Sequence, residues 1–165
     1  MGPIKTILHP TDQSECSQAA FRVASALARD WGARLVILEV VPPPVVIYGP
    51  PTASYLEQFR KELDQMQVPD PKIEVERRLV EGNPATEILR TSEETHCDAI
   101  VMGSHGRTGL GRLVLGSVAE QVMRQAACPV LIVKTPLTRS PFPDDDAVNQ
   151  AGTFAVHSFN PSCPR

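Results

Sequence analysis

The feature of this chain that most constrains its fold is a regular alternation of short β-rich runs with longer amphipathic segments. The run 34–41 is almost continuously apolar and rich in β-branched residues, which is typical of a strand in a parallel sheet covered on both faces. Further β-rich runs lie at 4–8, 72–80, 98–103 and 130–133. Because parallel neighbours are joined by right-handed crossovers, the sequence predicts an α/β fold: a single Rossmann-like domain with a five-stranded parallel sheet and helices on both faces.

Helix signals occupy the intervals between these runs. From 14 to 31 the apolar residues recur at three- and four-residue steps, the period of one helical face. A second helix is predicted around the apolar positions between 56 and 66. Asn83 is suited to cap a third helix, and Pro84 fits the first helical position, where its missing N–H costs nothing. The proline-containing segment 9–12 is expected to end the first strand.

Composition divides the chain into two parts. Residues 1–134 carry the alternating pattern and form the predicted domain, and a chain of 165 residues with 42% hydrophobic residues is long enough to bury a core without disulfides or metals. Residues 135–165 hold five prolines and show no apolar periodicity. This second part is predicted to be a Pro-rich, disordered tail.

Charge and hydropathy argue against several classes of protein. The formal net charge of -3 speaks against a basic surface for nucleic acid. No apolar run approaches the roughly 20 residues that a membrane-spanning helix needs, and the start of the chain does not read as an export signal. We therefore expect a cytoplasmic protein that binds neither nucleic acid nor membrane. Its four cysteines show no C-x-x-C spacing and are expected to be reduced, and Cys128 is interpreted as a small apolar residue of the core rather than a redox centre.

The most informative segment follows the fourth predicted strand. Five glycines stand within the fourteen residues 103–116, so the backbone there can adopt positive φ and turn its amides inward. Ser117 and Glu120 form an S-x-x-E pattern, which predicts a capping box at the start of a fourth helix. Between the strand and that helix the only full charges are Arg107 and Arg112. A helix start, inward amides and positive charge together predict a site for a phosphate group.

A plain mobile connector is the alternative interpretation of the glycines. The connection is long for a strand–helix loop, which commonly has about 2–6 residues. It matches neither the P-loop nor the G-x-G-x-x-G pattern of dinucleotide-binding proteins. Anion binding is therefore favoured over the connector.

The spacing G-x2-G-x9-G-S at 103–117 resembles the ATP-binding signature of the universal stress protein family. The resemblance extends to the segments 10–14, 82–84 and 128–133, and so covers residues 4–134. It implies a dimeric stress-response protein that binds ATP or another adenine nucleotide, with Mg²⁺, and acts as a nucleotide-dependent sensor or regulator with little or no turnover. It also implies a homodimer that pairs through the last strand, which comprises Val130, Leu131, Ile132 and Val133.

The resemblance also assigns roles to single residues. Asp12 is expected at the adenosine end of the ligand, and Val40 is expected to line the adenine. The amides of Gly116 and Val118, with the amide and hydroxyl of Ser117, are expected at the outer phosphates. The full expected set of nucleotide-binding residues is Pro10, Thr11, Asp12, Val40, Met102, Gly103, His105, Gly106, Arg107, Gly116, Ser117 and Val118.

Several alternatives stay open. Capping of the helix that begins near Ser14 is a less favoured alternative role for Asp12, and it is compatible with the first. Ser104 and His105 could pair as nucleophile and base, but adjacent loop side chains seldom face each other, and the sequence identifies no third group. Two other functions are a slow ATPase or self-phosphorylating protein, which needs a positioned hydroxyl or water, and a dimeric interaction module that binds no nucleotide. No catalytic residue and no metal ligand set is predicted.

Overall fold

Strands and helices alternate throughout residues 3–42, 53–105 and 115–134, the ranges that the computed structural model describes. The elements are β1 (Thr6–Thr11), α1 (Glu15–Trp31), β2 (Arg34–Val41), α2 (Ala53–Gln65), β3 (Val75–Glu81), α3 (Pro84–Glu94), β4 (Ala99–Gly103), α4 (Ser117–Gln125) and β5 (Val130–Val133). The strands form one parallel sheet in the order β3-β2-β1-β4-β5. The predicted α/β fold with a five-stranded parallel sheet is confirmed.

Two predicted features fall outside these ranges. The tail 135–165 and most of the glycine-rich segment, 106–114, are not among the described residues. The division of the chain at 134 therefore stays a prediction. Within the described ranges, no helix is long and apolar enough to cross a membrane.

The alternation of side chains along each strand builds a core on both faces of the sheet. On one face, Ile7 and Ile37 pack with alanines of α1 and with Leu63 of α2. On the other face, Leu8 and Leu38 pack with apolar side chains of α3 and α4. The sheet is therefore buried on both sides, as the apolar run of β2 predicts.

The helix ends follow their local sequence signals. Ser14 is the N-cap of α1, and its hydroxyl accepts a hydrogen bond from Ser17 N at 3.2 Å. Gly32 ends the same helix with φ 63°, a left-handed conformation that glycine adopts without steric cost. Asn83 Oδ1 accepts from Thr86 N at 3.2 Å and caps α3, as predicted.

The first strand is longer than the sequence predicts. The segment 9–12 was expected to end it, but β1 continues and pairs with β2 as far as Thr11↔Glu39. Its pairing with β4 ends earlier, at Leu8↔Ile100. Near Pro10, therefore, β1 no longer pairs with β4 but still pairs with β2.

Pro10 is tolerated inside β1 because of this pairing. Backbone groups of alternate residues face the same neighbouring strand, and Thr6 O accepts from Asp98 N at 2.8 Å on the β4 side. The nitrogen of Pro10 therefore also faces β4, beyond the end of the ladder, where no N–H is required. The Val101 carbonyl of β4 instead accepts from Nδ1 of His9 at 2.8 Å.

The predicted capping box at α4 is wrong. The N-cap is Gly116, with φ -64° and ψ 147°, and this residue has no side chain that could cap the helix. Ser117 is the first helical residue, because Gly116 N donates to Ser104 O at 2.8 Å and this contact fixes where the helix begins. Glu120 pairs with Arg124, one turn further along the helix, at 2.8 Å.

Candidate functional site

A cavity of about 380 Å³ lies at the carboxyl end of the sheet. The chain passes from β1 to β2 on one side of β1, whereas β4 lies on its other side. Such a reversal of strand order is the place where ligands bind in open α/β sheets. The wall of the cavity is built from the carboxyl ends of β1, β2 and β4, the first turns of α3 and α4, and Phe59 of α2.

The structure brings together ten of the twelve residues that the sequence analysis proposed for the site. Gly106 and Arg107 lie outside the described residues. The ten residues that line the cavity are Pro10, Thr11, Asp12, Val40, Met102, Gly103, His105, Gly116, Ser117 and Val118.

The turn between β1 and α1 is fixed by side-chain hydrogen bonds. Asp12 Oδ1 accepts from the backbone N of Ser14 at 3.1 Å and from its hydroxyl at 2.6 Å. The Ser17 hydroxyl donates to Thr11 Oγ1 at 2.8 Å. Asp12 is therefore not the N-cap of α1, but it holds the N-cap residue Ser14 in place while lining the cavity. Holding Ser14 in place and lining the cavity are compatible roles for Asp12.

Glu39 is a residue of the cavity wall that the sequence analysis missed. It lies near the carboxyl end of β2 and is 1% exposed. Gln13 Nε2 donates to Glu39 Oε2 at 3.3 Å, and Gln13 itself has a positive φ of 65°. The signal was present, because Glu39 is the acidic residue within an otherwise almost continuously apolar run.

Ser104 and His105 face each other where β4 ends. Ser104 Oγ lies 2.9 Å from His105 Nδ1, within hydrogen-bond distance, and Ser104 is 1% exposed. The argument that adjacent loop side chains seldom meet is therefore wrong here. Nε2 of His105 is buried and has no hydrogen-bond partner among the described residues, so no third member of a catalytic triad is apparent in that part of the chain.

Two glycines of the signature are required by close packing. A Cβ on Gly103 would lie 3.0 Å from the backbone carbonyl carbon of Cys16, in the first turn of α1. A Cβ on Gly116 would lie 3.1 Å from Ser104 O. Ser104 N also donates to Val133 O at 2.9 Å, so both ends of the glycine-rich segment are fastened to the sheet.

The first turn of α4 supplies backbone donors to the cavity. Ser117, Val118 and Ala119 all line it, and the first amides of a helix have no acceptor within the helix. Because the N-cap residue Gly116 has no side chain that could cap α4, these N–H groups and the positive end of the helix dipole are suited to an anion.

The remaining wall differs in character from the α4 turn. Leu38, Val40 and Ile88, with Met102 and Phe59, give it a largely apolar surface. In the described ranges no group of three or more His, Cys, Asp or Glu side chains is arranged to hold a metal ion. The cavity thus suits a ligand with an apolar, flat part and an anionic part.

Comparison with known proteins agrees with this geometry. The model of the universal stress protein family matches residues 3–134. The chain is 36% identical over 141 residues to the universal stress protein MJ0531 of Methanocaldococcus jannaschii, a match that covers 80% of this chain and 83% of that protein.

Solved structures share the fold. The structure of protein MJ0577 of Methanocaldococcus jannaschii superposes with a TM-score of 0.65 at 30% identity, covering 82% of this chain and 99% of that one. A universal stress protein in complex with cAMP superposes with a TM-score of 0.57 at 26% identity, covering 82% and 100% of the two chains. The chain described here belongs to the universal stress protein family.

Proposed function

We propose that this protein binds ATP in the cavity at the carboxyl end of the sheet and acts as a dimeric, nucleotide-dependent sensor or regulator in a stress response. The observation that carries the proposal is the pairing, in one cavity, of a largely apolar wall with the uncapped first turn of α4. The relative that was solved with cAMP supports an adenine nucleotide as the ligand.

The nucleotide would lie with its base against the apolar wall and its phosphates at α4. Val40 lines the base, and Asp12 accepts hydrogen bonds at the adenosine end. The amides of Ser117 and Val118 donate to the phosphates, with Gly106 and Arg107 as further proposed contacts from the segment outside the described residues. Mg²⁺ would be held by the phosphates themselves, because the described residues offer no cluster of metal ligands.

Little or no turnover is part of the proposal. The carboxylates that line the cavity are those of Asp12, which directly follows β1, and Glu39 of β2, whereas the proposed phosphate donors belong to α4. A carboxylate base beside the γ-phosphate is therefore not among the described lining residues, and hydrolysis needs a positioned water or hydroxyl there.

Native mass spectrometry of the purified protein, before and after addition of ATP with Mg²⁺, tests the proposal. It measures the number of subunits and the mass of any retained ligand together. We expect a dimer that carries one adenine nucleotide per subunit. A dimer that stays empty at saturating ATP would contradict nucleotide binding and favour the interaction module instead.

A second candidate function is slow self-phosphorylation, which the contact between Ser104 and His105 favours. In this reaction Ser104 Oγ attacks the γ-phosphorus of ATP, His105 Nδ1 takes the hydroxyl proton, and ADP leaves. Incubation with ATP and Mg²⁺ followed by peptide mass mapping tests it. A phosphoryl group on Ser104 that is absent from His105→Ala would support the reaction, and an unmodified protein after prolonged incubation would exclude it.

A further inference from the structure

Two cysteines that are far apart in sequence meet at the amino end of the sheet. Cys97 lies two residues before β4, and Cys128 lies two residues before β5. The register Ile100↔Val130 places the segments that contain them side by side. The Sγ atoms of Cys97 and Cys128 are 3.6 Å apart.

The surroundings of the two thiols differ. Cys97 is 8% exposed and Cys128 is half-buried, and both pack in the apolar cluster between the sheet and helices α3 and α4. Burial, reinforced by the neighbouring thiol of Cys128 and by the charge of Asp98, raises the pKa of Cys97 far above its usual range. Because the thiolate is the reactive form of a cysteine, a reagent from solution would react first at the more accessible Cys128.

We propose that Cys97 and Cys128 form a reversible disulfide by exchange with a low-molecular-weight disulfide such as oxidised glutathione. The Cys128 thiolate attacks one sulfur of the reagent, forms a mixed disulfide and releases one thiolate, which takes up a proton. The Cys97 thiolate then attacks Cys128 Sγ and expels the second thiolate, which is protonated in turn. Two protein thiols lose two electrons and two protons, and the reagent disulfide is reduced to two thiols.

The bond would close a long loop without touching the nucleotide cavity. The loop 97–128 contains β4, the glycine-rich segment and α4. Since the strands are parallel, their amino ends, where the thiols meet, lie opposite the carboxyl ends that line the cavity. The disulfide would therefore form at the end of the sheet opposite the cavity. It would add a redox role to Cys128, which packs as a partly buried residue against the core.

The test uses the full chain equilibrated with reduced and oxidised glutathione at graded ratios. Free thiols are then blocked with N-ethylmaleimide under denaturing conditions, and the protein is digested with trypsin. Cleavage after Arg90, Arg107, Arg124 and Lys134 separates the peptides 91–107 and 125–134, each with one of the two cysteines. We expect these two peptides to be recovered as one linked species that reducing agent separates. We also expect the oxidised protein to unfold about 5–10 °C above the reduced one.

The variant Cys16→Ser is the matched control, because Cys16 lies on α1 in the separate peptide 6–22 and should leave the link intact. Cys128→Ser should abolish the linked species and the thermal shift together. Recovery of both blocked peptides at a large excess of oxidised glutathione would overturn the proposal. A mixed disulfide that persists on Cys128, or a link to Cys16 or Cys163 instead, would overturn it as well.

Discussion

Replacing Ser117 with proline should remove one phosphate donor while leaving the fold intact. Ser117 is the first residue of α4, the position where proline is tolerated in a helix. Gly116, which precedes it, already has φ -64° and ψ 147°, the extended conformation that a residue before proline prefers. The substitution deletes the backbone N–H of Ser117, a residue that lines the cavity, together with the hydroxyl.

The expected loss follows from the strength of a hydrogen bond to a charged group. Such a bond contributes about 1.5–3 kcal/mol, so its removal should weaken binding of ATP roughly 10- to 150-fold. Ser117→Ala removes the hydroxyl but keeps the N–H, so the ratio of the dissociation constants of the two variants isolates the contribution of the amide. Isothermal titration calorimetry with ATP and Mg²⁺ measures both, and urea unfolding checks that each variant is folded.

Adenosine is the control ligand, because it has the base and sugar of ATP but no phosphate. Its affinity should be the same in the wild-type protein and in both Ser117 variants. If Ser117→Pro bound ATP as tightly as Ser117→Ala, the amide at the start of α4 would not contact phosphate. If adenosine binding fell as much as ATP binding, the α4 turn would lie at the wrong end of the ligand.

Three further predictions concern stability and assembly. Burial lowers the pKa of His9 to about 4 from the ordinary 6.5, so on acidification the unfolded chain binds a proton at this residue before the folded chain does. The free energy of unfolding should therefore fall by about 3 kcal/mol between pH 6.5 and pH 4, and the ionisation of His9 should have no effect on it above this range. Urea unfolding between these pH values should show a smaller fall for His9→Gln than for the wild-type protein. Gly103→Ala places a Cβ 3.0 Å from the backbone of Cys16 and should lower the free energy of unfolding by about 1–3 kcal/mol in a urea titration; an unchanged midpoint would refute the tight packing. Leu131 is 44% exposed on the edge strand β5, so Leu131→Glu should convert the proposed dimer into a monomer in sedimentation velocity; a dimer of unchanged stability would place the interface elsewhere.

Local signals were sufficient for most of the fold. The apolar run 34–41 coincides with β2, and the predicted cap Asn83 sets where α3 begins. These features depend on residues close in sequence, which is why they could be predicted. The resemblance to the universal stress protein family pointed to ten residues that line one cavity, and their meeting is expected because the carboxyl ends of parallel strands lie at the same edge of the sheet.

Features that depend on contacts between distant segments could not be predicted. Ser117 and Glu120 have the spacing of a capping box, but the bond from Gly116 N to Ser104 O determines the N-cap instead. The meeting of Cys97 with Cys128 depends on the register of β4 and β5. In both cases the residues in contact are far apart in sequence, so the local pattern could not identify the hydrogen-bond or thiol partner.

Pro10 connects the fold to the site. From the sequence, the strand was expected to end at this proline. In the structure only the pairing of β1 with β4 ends there, while the pairing with β2 continues to Thr11. Beyond Leu8 the carboxyl ends of β1 and β4 are therefore no longer joined by a ladder, and Pro10, Met102 and Gly103 line the cavity between them. The Val101 carbonyl, which a backbone N–H at position 10 would otherwise satisfy, accepts from the buried ring of His9. The buried His9 side chain thus supplies the hydrogen bond to the Val101 carbonyl that a backbone N–H at position 10 cannot supply.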